Sequence, residues 1–218
     1  MKKKTTLQIG CLLMAAFAVW TALVCTIEVR PVGPNASTVG FASLNGWIHR
    51  LTGVHMNLYT ITDWLGLVPV AVCMIFGMVG LVQLVGRRSL FKVDRDIIYL
   101  GIYYIIVIGC YLIFEMFPIN YRPVLIEGRL EASYPSSTTL LVLSVMPTLT
   151  EQTERRSKNA TLKKLIYAFV ICFSTFMVLG RLISGVHWIT DIVGALLLSG
   201  GLFFIYKASV LTHHGNSK

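Results

Sequence analysis

Six apolar stretches, at about 7–26, 64–85, 97–117, 136–149, 162–182 and 188–207, follow one another with short polar connections between them. A membrane-spanning helix needs roughly 20 predominantly apolar residues, and five of the six come close to that length. Lipid offers no partner to backbone N–H and C=O groups, so runs of this kind fold as helices whose hydrogen bonds are internal. The expected fold is therefore all-α, a polytopic membrane protein of six transmembrane helices. The fourth stretch is shorter, about 14 residues or ~21 Å at 1.5 Å per residue, and Pro147 interrupts its end. It is expected to start below the membrane surface, in a protein-lined recess. Only 13% of the residues are charged and 55% are apolar, against about 25% charged in soluble domains. A chain so poor in charge cannot cover a globule of 218 residues with solvated surface. An ordinary cytosolic enzyme and a disordered protein are both excluded, and the six spans use up the length, so 1–218 reads as one domain.

An even number of spans puts both ends of the chain on one side, and the basic residues choose the side. The N-terminal lysines Lys2, Lys3 and Lys4, the loops around 87–95 and 155–164, and the tail with Lys207 and Lys218 hold fourteen of the nineteen Lys and Arg. Cytoplasmic loops carry such an excess, so both termini are expected in the cytoplasm of a cell-membrane protein. The net charge of +9 then divides into +10 inside and −1 outside. It is a topology signal, which removes the case for nucleic acid as a partner. All five outer basic residues, Arg30, Arg50, Arg122, Arg129 and Arg181, are arginines, the better bidentate ligands for phosphate. Between the first two spans, 39–54 mixes Phe41, Leu44, Trp47, Ile48 and Leu51 with Asn45, His49 and Arg50, the pattern of a helix lying in the interface. The first stretch lacks a small-x-small cleavage site before Glu28 and is expected to stay as a helix. The five cysteines fall in apolar runs with no CxxC pair, so neither disulfides nor a metal site is indicated, and nothing calls for a cofactor.

Chemistry concentrates at the outer ends of the last four spans. Arg181 ends the fifth, Ser184-Gly185 makes a turn, and His187 and Asp191 open the sixth. A His and an Asp at i and i+4 share a helix face. Asp191 can then accept from one imidazole nitrogen and leave the other as a directed nucleophile, the orienting logic of a catalytic dyad. Ionisable residues at membrane depth are costly and mark functional sites. Between the third and fourth spans, Arg122-Pro123 is followed by Pro135-Ser136-Ser137-Thr138. A proline followed by hydroxyl residues is helix-start chemistry, and free N–H groups at such a start bind phosphate.

Arg-Pro at 122–123, Pro-Ser at 135–136 and Arg-x5-His-x3-Asp at 181, 187 and 191 resemble the three motifs of the type-2 phosphatidic acid phosphatase family, whose membrane members have six spans. The motif region covers about 115–195. The resemblance implies a dephosphorylation in which His187 attacks phosphorus to form a phosphohistidine, with Asp191 orienting it. Arg122, Arg181 and the helix start at Ser136, Ser137 and Thr138 would bind the phosphate. Four positions depart from the pattern. Glu115 stands where the first motif begins with Lys, Ser137 and Thr138 where the second has Gly and its general-acid His, and Gly180 where the third begins with Ser. Losing a general acid costs ~10²–10⁴ in rate, less when the leaving group is good, so a pyrophosphate is expected to suffer less than a monoester. Glu115 is expected either to carry a proton or to pair with Arg122 and weaken phosphate binding. His49 and His55 are the outer histidines that could replace the missing acid.

The expected activity is hydrolysis, from the outer face, of a lipid phosphate or pyrophosphate of the polyprenyl pyrophosphate, phosphatidic acid or phosphatidylglycerol phosphate type. The partners are the lipid substrate and the bilayer. The alternative is a catalytically impaired member that keeps the pocket as a lipid-phosphate-binding or regulatory module. A phosphotransferase stands third. A transporter fits less well, because neither a broken helix pair nor a repeat is evident.

Overall fold

The computed structural model describes residues 3–211; Lys2 and Lys218 of the charge count lie outside them. Eight α-helices form among the described residues: α1 (Lys3–Thr26), α2 (Ala42–Thr52), α3 (Met56–Leu65), α4 (Leu67–Arg87), α5 (Arg95–Met116), α6 (Ser137–Arg156), α7 (Ala160–Ile183) and α8 (Ile189–Leu211). Among the described residues, five helices are long and apolar enough to cross a membrane: α1, α3 continued through Gly66 into α4, α5, α7 and α8. The chain is a membrane protein, and its exterior reads as one. Leu12, Met74, Ile105 and Leu165 point outward with 63–71% of their surface exposed, a placement that costs free energy in water and none in lipid.

The fourth expected stretch differs most from its helix. Rather than ending near Pro147, α6 runs on to Arg156, 20 residues or ~30 Å. Pro147 has no N–H for the Leu143 carbonyl, yet packing carries the helix past it. Tyr103 donates to the Ser144 carbonyl at 2.9 Å, and the Tyr104 hydroxyl meets Thr148 Oγ1 at 2.7 Å. The last turns of α6 carry Glu151, Gln152, Glu154, Arg155 and Arg156, which keeps it out of the set of apolar spans. It lies against α4, α5, α7 and α8.

α8 is the axis of the bundle. In its most apolar window 56% of residues are buried, against 17–22% in the other four spans. Glycines let α1 approach it closely: a Cβ on Gly201 would fall 2.7 Å from Met14 Sδ, and one on Gly10 would fall 2.8 Å from Ile205. Small residues at such crossings let helix backbones pack tightly. The interfacial helix forms as expected, with Trp47 and Leu51 exposed. Asn45 ties it down, donating to the Gly40 carbonyl at 2.7 Å and to Thr190 Oγ1 at the head of α8 at 3.0 Å. Ahead of it, Val39 and Arg30 bridge, and Glu28 accepts from the Ser43 N–H and hydroxyl.

Because α5, α6, α7 and α8 alternate in direction, the C-terminal ends of α5 and α7 and the N-terminal ends of α6 and α8 meet at one end of the bundle. The loop from α5 to α6 folds back on itself there. Arg122 N–H donates to the Glu131 carbonyl at 3.0 Å and Ser133 N–H to the Asn120 carbonyl at 2.9 Å. Its tip turns at Glu127 and Gly128, both at positive φ (49° and 76°), a pairing typical of tight hairpin turns.

Candidate active site

The three motif segments converge at this end. Arg181, on the last turn of α7, is 1% exposed, and Arg122 is 8% exposed. Both guanidinium groups lie against one ring, that of Tyr59 on α3, at 4.9 Å for Arg181 and 5.7 Å for Arg122. Arg181 also reaches Thr138 Oγ1 from Nη2 at 2.6 Å, Asp63 Oδ1 from the same nitrogen at 3.3 Å, and Thr62 Oγ1 from Nη1 at 3.4 Å. Its Nε is buried without a hydrogen-bond partner, as is Nη1 of Arg122. Arg122 forms its ion pair with Glu131, 3.1 Å from Nε. Of the two alternatives for Glu115, the pairing with Arg122 is taken instead by Glu131; Glu115 lies exposed on α5, beside a small recess with Ser133 and Ser137.

His187 sits in the turn between α7 and α8, 3% exposed. Gly185, at φ 71°, makes that turn, and a Cβ there would fall 2.0 Å from the Gly53 carbonyl oxygen. The segment before α3 therefore presses on the turn, and His55 N–H donates to the Ser184 carbonyl at 3.0 Å. Asp191 Oδ2 is 3.6 Å from His187 Nδ1, beyond hydrogen-bond distance and within reach of a small adjustment, as is common in ligand-free sites. Asp191 is itself fixed. It accepts from Trp188 N–H at 2.9 Å, the return bond of a helix cap, and from Asn120 Nδ2 at 3.4 Å. Nε2 of His187 is then the nitrogen directed away from Asp191. Burial, reinforced by the Arg122 and Arg181 charges and only partly opposed by the Ser133 backbone, holds the imidazole well below the usual histidine range. At neutral pH the imidazole is uncharged.

The three hydroxyl residues at the start of α6 do not act alike. Ser136 is fully buried. Its N–H donates to the Asp191 carbonyl at 3.2 Å and its hydroxyl to Thr139 at 3.0 Å, so it binds the two motifs together and does not face the recess. Ser137 and Thr138 line a cavity of about 440 Å³ between α4, α5 and α6. Apart from Asp63, Thr138 and Ser137 at its head, its walls are mainly apolar, with Leu67, Val70, Val107 and Leu141 among them. Both histidines named from the sequence have other contacts. His49 packs its ring on Trp188 at 5.5 Å, where burial and Arg50 lower its pKa, and His55 bonds the Thr52 carbonyl at 2.8 Å.

Tyr59, Thr62 and Asp63 were not among the expected site residues. Asp63 is the only acidic residue between Glu28 and Asp94. An acid directly ahead of a long apolar run was the available signal.

A model of the PAP2 superfamily matches residues 72–214. Among solved structures, the chain is similar to a transmembrane PAP2-type phosphatidylglycerolphosphate phosphatase from Bacillus subtilis. The TM-score is 0.67 at 16% identity, over 94% of this chain and 97% of that one. No curated protein matches this chain significantly.

Proposed function

The chain belongs to the PAP2 superfamily, and from that premise we propose that it hydrolyses a lipid phosphate or pyrophosphate through a phosphohistidine at His187. The observation that carries this is the group of unpartnered N–H donors on buried Arg122 and Arg181, near buried His187, with Arg181 bonded to Asp63 and Thr138 at the edge of a largely apolar cavity. Buried guanidinium donors left unpaired are costly, and a phosphate oxygen is their natural complement. The cavity below suits a hydrocarbon chain.

Arg122 and Arg181 neutralise the phosphate oxygens, which is most of what phosphoryl transfer requires. Tyr59 holds both arginines in place. His187 Nε2 attacks phosphorus as the bond to the leaving group breaks, and Asp191 stabilises the imidazolium through Nδ1. Ser137 and Thr138 contribute at the α6 N-terminus, where the helix dipole favours negative charge. In the membrane α6 is the fourth of six crossings, both termini are cytoplasmic and the site opens on the extracytoplasmic side.

Purified protein is assayed for phosphate release from polyprenyl pyrophosphate, phosphatidic acid and phosphatidylglycerol phosphate. The expected result is turnover that His187→Ala reduces at least ~10³-fold, with the pyrophosphate the fastest substrate. Lipid-phosphate binding that is lost in Arg181→Ala, with no turnover on any of the three, would assign a binding module instead.

A further inference from the structure

Two of the four places where the motifs depart from the family pattern lie against one short helix. Gly180 stands where the pattern has Ser, and a Cβ there would fall 2.7 Å from Thr62 Cγ2 of α3. Thr138 stands where it has His, and its Cγ2 lies 3.6 Å from where a Cβ of Gly66, at the end of α3, would be. α3 thus occupies space that a larger residue at position 180 would claim, and its end lies beside Thr138. It carries Tyr59 and Asp63 one turn apart on one face. Asp63 is the only acidic residue lining the apolar cavity, and its side chain is 56% exposed. Arg181 Nη2 contacts Asp63 and Thr138 together. The one carboxylate at the phosphate end of the cavity therefore stands beside the position of the missing histidine.

We infer that Asp63 is the proton-transfer residue of this chain, accepting the proton of the water that hydrolyses the phosphohistidine. The inference rests on the reading of His187 as nucleophile. In the first step the N–P bond forms at Nε2 while the P–O bond to the leaving group breaks. A pyrophosphate's leaving group is itself a phosphate and departs without a proton, so this step needs no acid. In the second step the oxygen of water bonds to phosphorus as the N–P bond breaks, and the electron pair returns to Nε2. The water's proton passes to the Asp63 carboxylate, which later gives it to solvent, and inorganic phosphate leaves. A carboxylate held against Arg181 at 3.3 Å fits the second step as proton acceptor, so the residue exchange matches the chain to anhydride substrates.

The test uses the full chain, polyprenyl pyrophosphate labelled with ³²P in its terminal phosphate, and an alkaline quench that preserves phosphohistidine. Asp63→Asn, checked for folding by its melting temperature, is expected to release phosphate ~10²-fold more slowly and to accumulate labelled protein that His187→Ala abolishes. A loss of packing alone would slow turnover without trapping label. Turnover as fast as wild type in Asp63→Asn, or slow turnover without added label, overturns the inference. Should that variant not fold, Asp63→Glu carries the test: label above the wild-type level supports the role and label at the wild-type level overturns it. The two readings separate cleanly. Unimpaired turnover in His187→Ala overturns both, whereas an inactive His187→Ala with a normal Asp63→Asn overturns only the role of Asp63.

Discussion

The two ends of the bundle both hold arginines, and they use them in opposite ways. At the end where α5 and α7 begin and α6 and α8 finish, the charges meet as pairs. Arg87 bonds Asp94 at 2.7 Å, Arg156 bonds Asp96 at 2.7 Å, Lys163 bonds Glu154 at 2.6 Å, and Lys207 bonds Glu151. Arg87 and Gln83 together hold the Asp94 carboxyl below the usual carboxylate range and close the α4–α5 connection. Arg155 reaches Glu151 through Nη2 at 3.8 Å while its Nε is buried without a partner. At the other end Arg122 and Arg181 are more deeply buried, share a tyrosine ring and keep N–H groups unsatisfied. A paired surface charge contributes little beyond fixing a loop. A buried and incompletely paired one is retained at a cost, which points to an anion that arrives from outside.

Exchanging Arg181 for Lys tests this contrast most severely. The ammonium keeps the charge but loses the planar fork that reaches Thr62, Asp63 and Thr138. Phosphate release is expected to fall about 10²-fold, or ~2.7 kcal/mol at 1.36 kcal/mol per decade; a change under threefold would make Arg181 a structural residue like those at the far end. Gly180→Ala comes next. Its methyl group would meet Thr62 and push α3 off α7, an overpacking expected to cost about 1–3 kcal/mol. Thermal melting would register the loss, with activity falling in step as Asp63 and Tyr59 shift.

A smaller effect concerns acid. The folded chain keeps His187 neutral below the ~6.5 at which a free histidine protonates, so the acid limb of kcat/KM is expected below pH 6.5. Stability has the same sign. Below ~6.5 the unfolded imidazole takes up a proton that the folded one refuses, so the protein loses stability as pH falls and is unaffected by this group above pH 7. An acid limb above 6.5 would contradict the burial of His187. The least effect belongs to Asp96→Asn, which breaks the partly exposed pair with Arg156. Stability is expected to change by no more than ~1 kcal/mol and turnover by less than twofold. A large loss of turnover there would erase the distinction between the two ends.

What could be read from the chain was whatever depends on local pattern. Apolar run length locates the spans, and the mixed pattern of 39–54 locates the interfacial helix. Arg122, Thr138, Arg181, His187 and Asp191 gather at one end because alternating helices bring those loops together. What depends on contact across the fold was hidden. The bond between Arg181 and Asp63 joins residues 118 apart, and nothing local in 55–63 marks a face turned toward α7. Ser136 looks like a free helix start, but the Asp191 carbonyl and Thr139 take its N–H and hydroxyl. Pro147 reads as a stop by the local rule and is overruled by the helices around it.

The polarity of α6 bears on how the molecule is made. A helix too polar to partition into lipid alone is retained there only when neighbours shield its polar side. Two of those neighbours, α7 and α8, are synthesised after it. Insertion of α6 is thereby coupled to the arrival of the last two helices, and these carry Arg181 and Asp191, with His187 between them. The ribosome must deliver nearly the whole chain before α6 is shielded and the proposed phosphate site is assembled, so a chain truncated before α8 would forfeit both together.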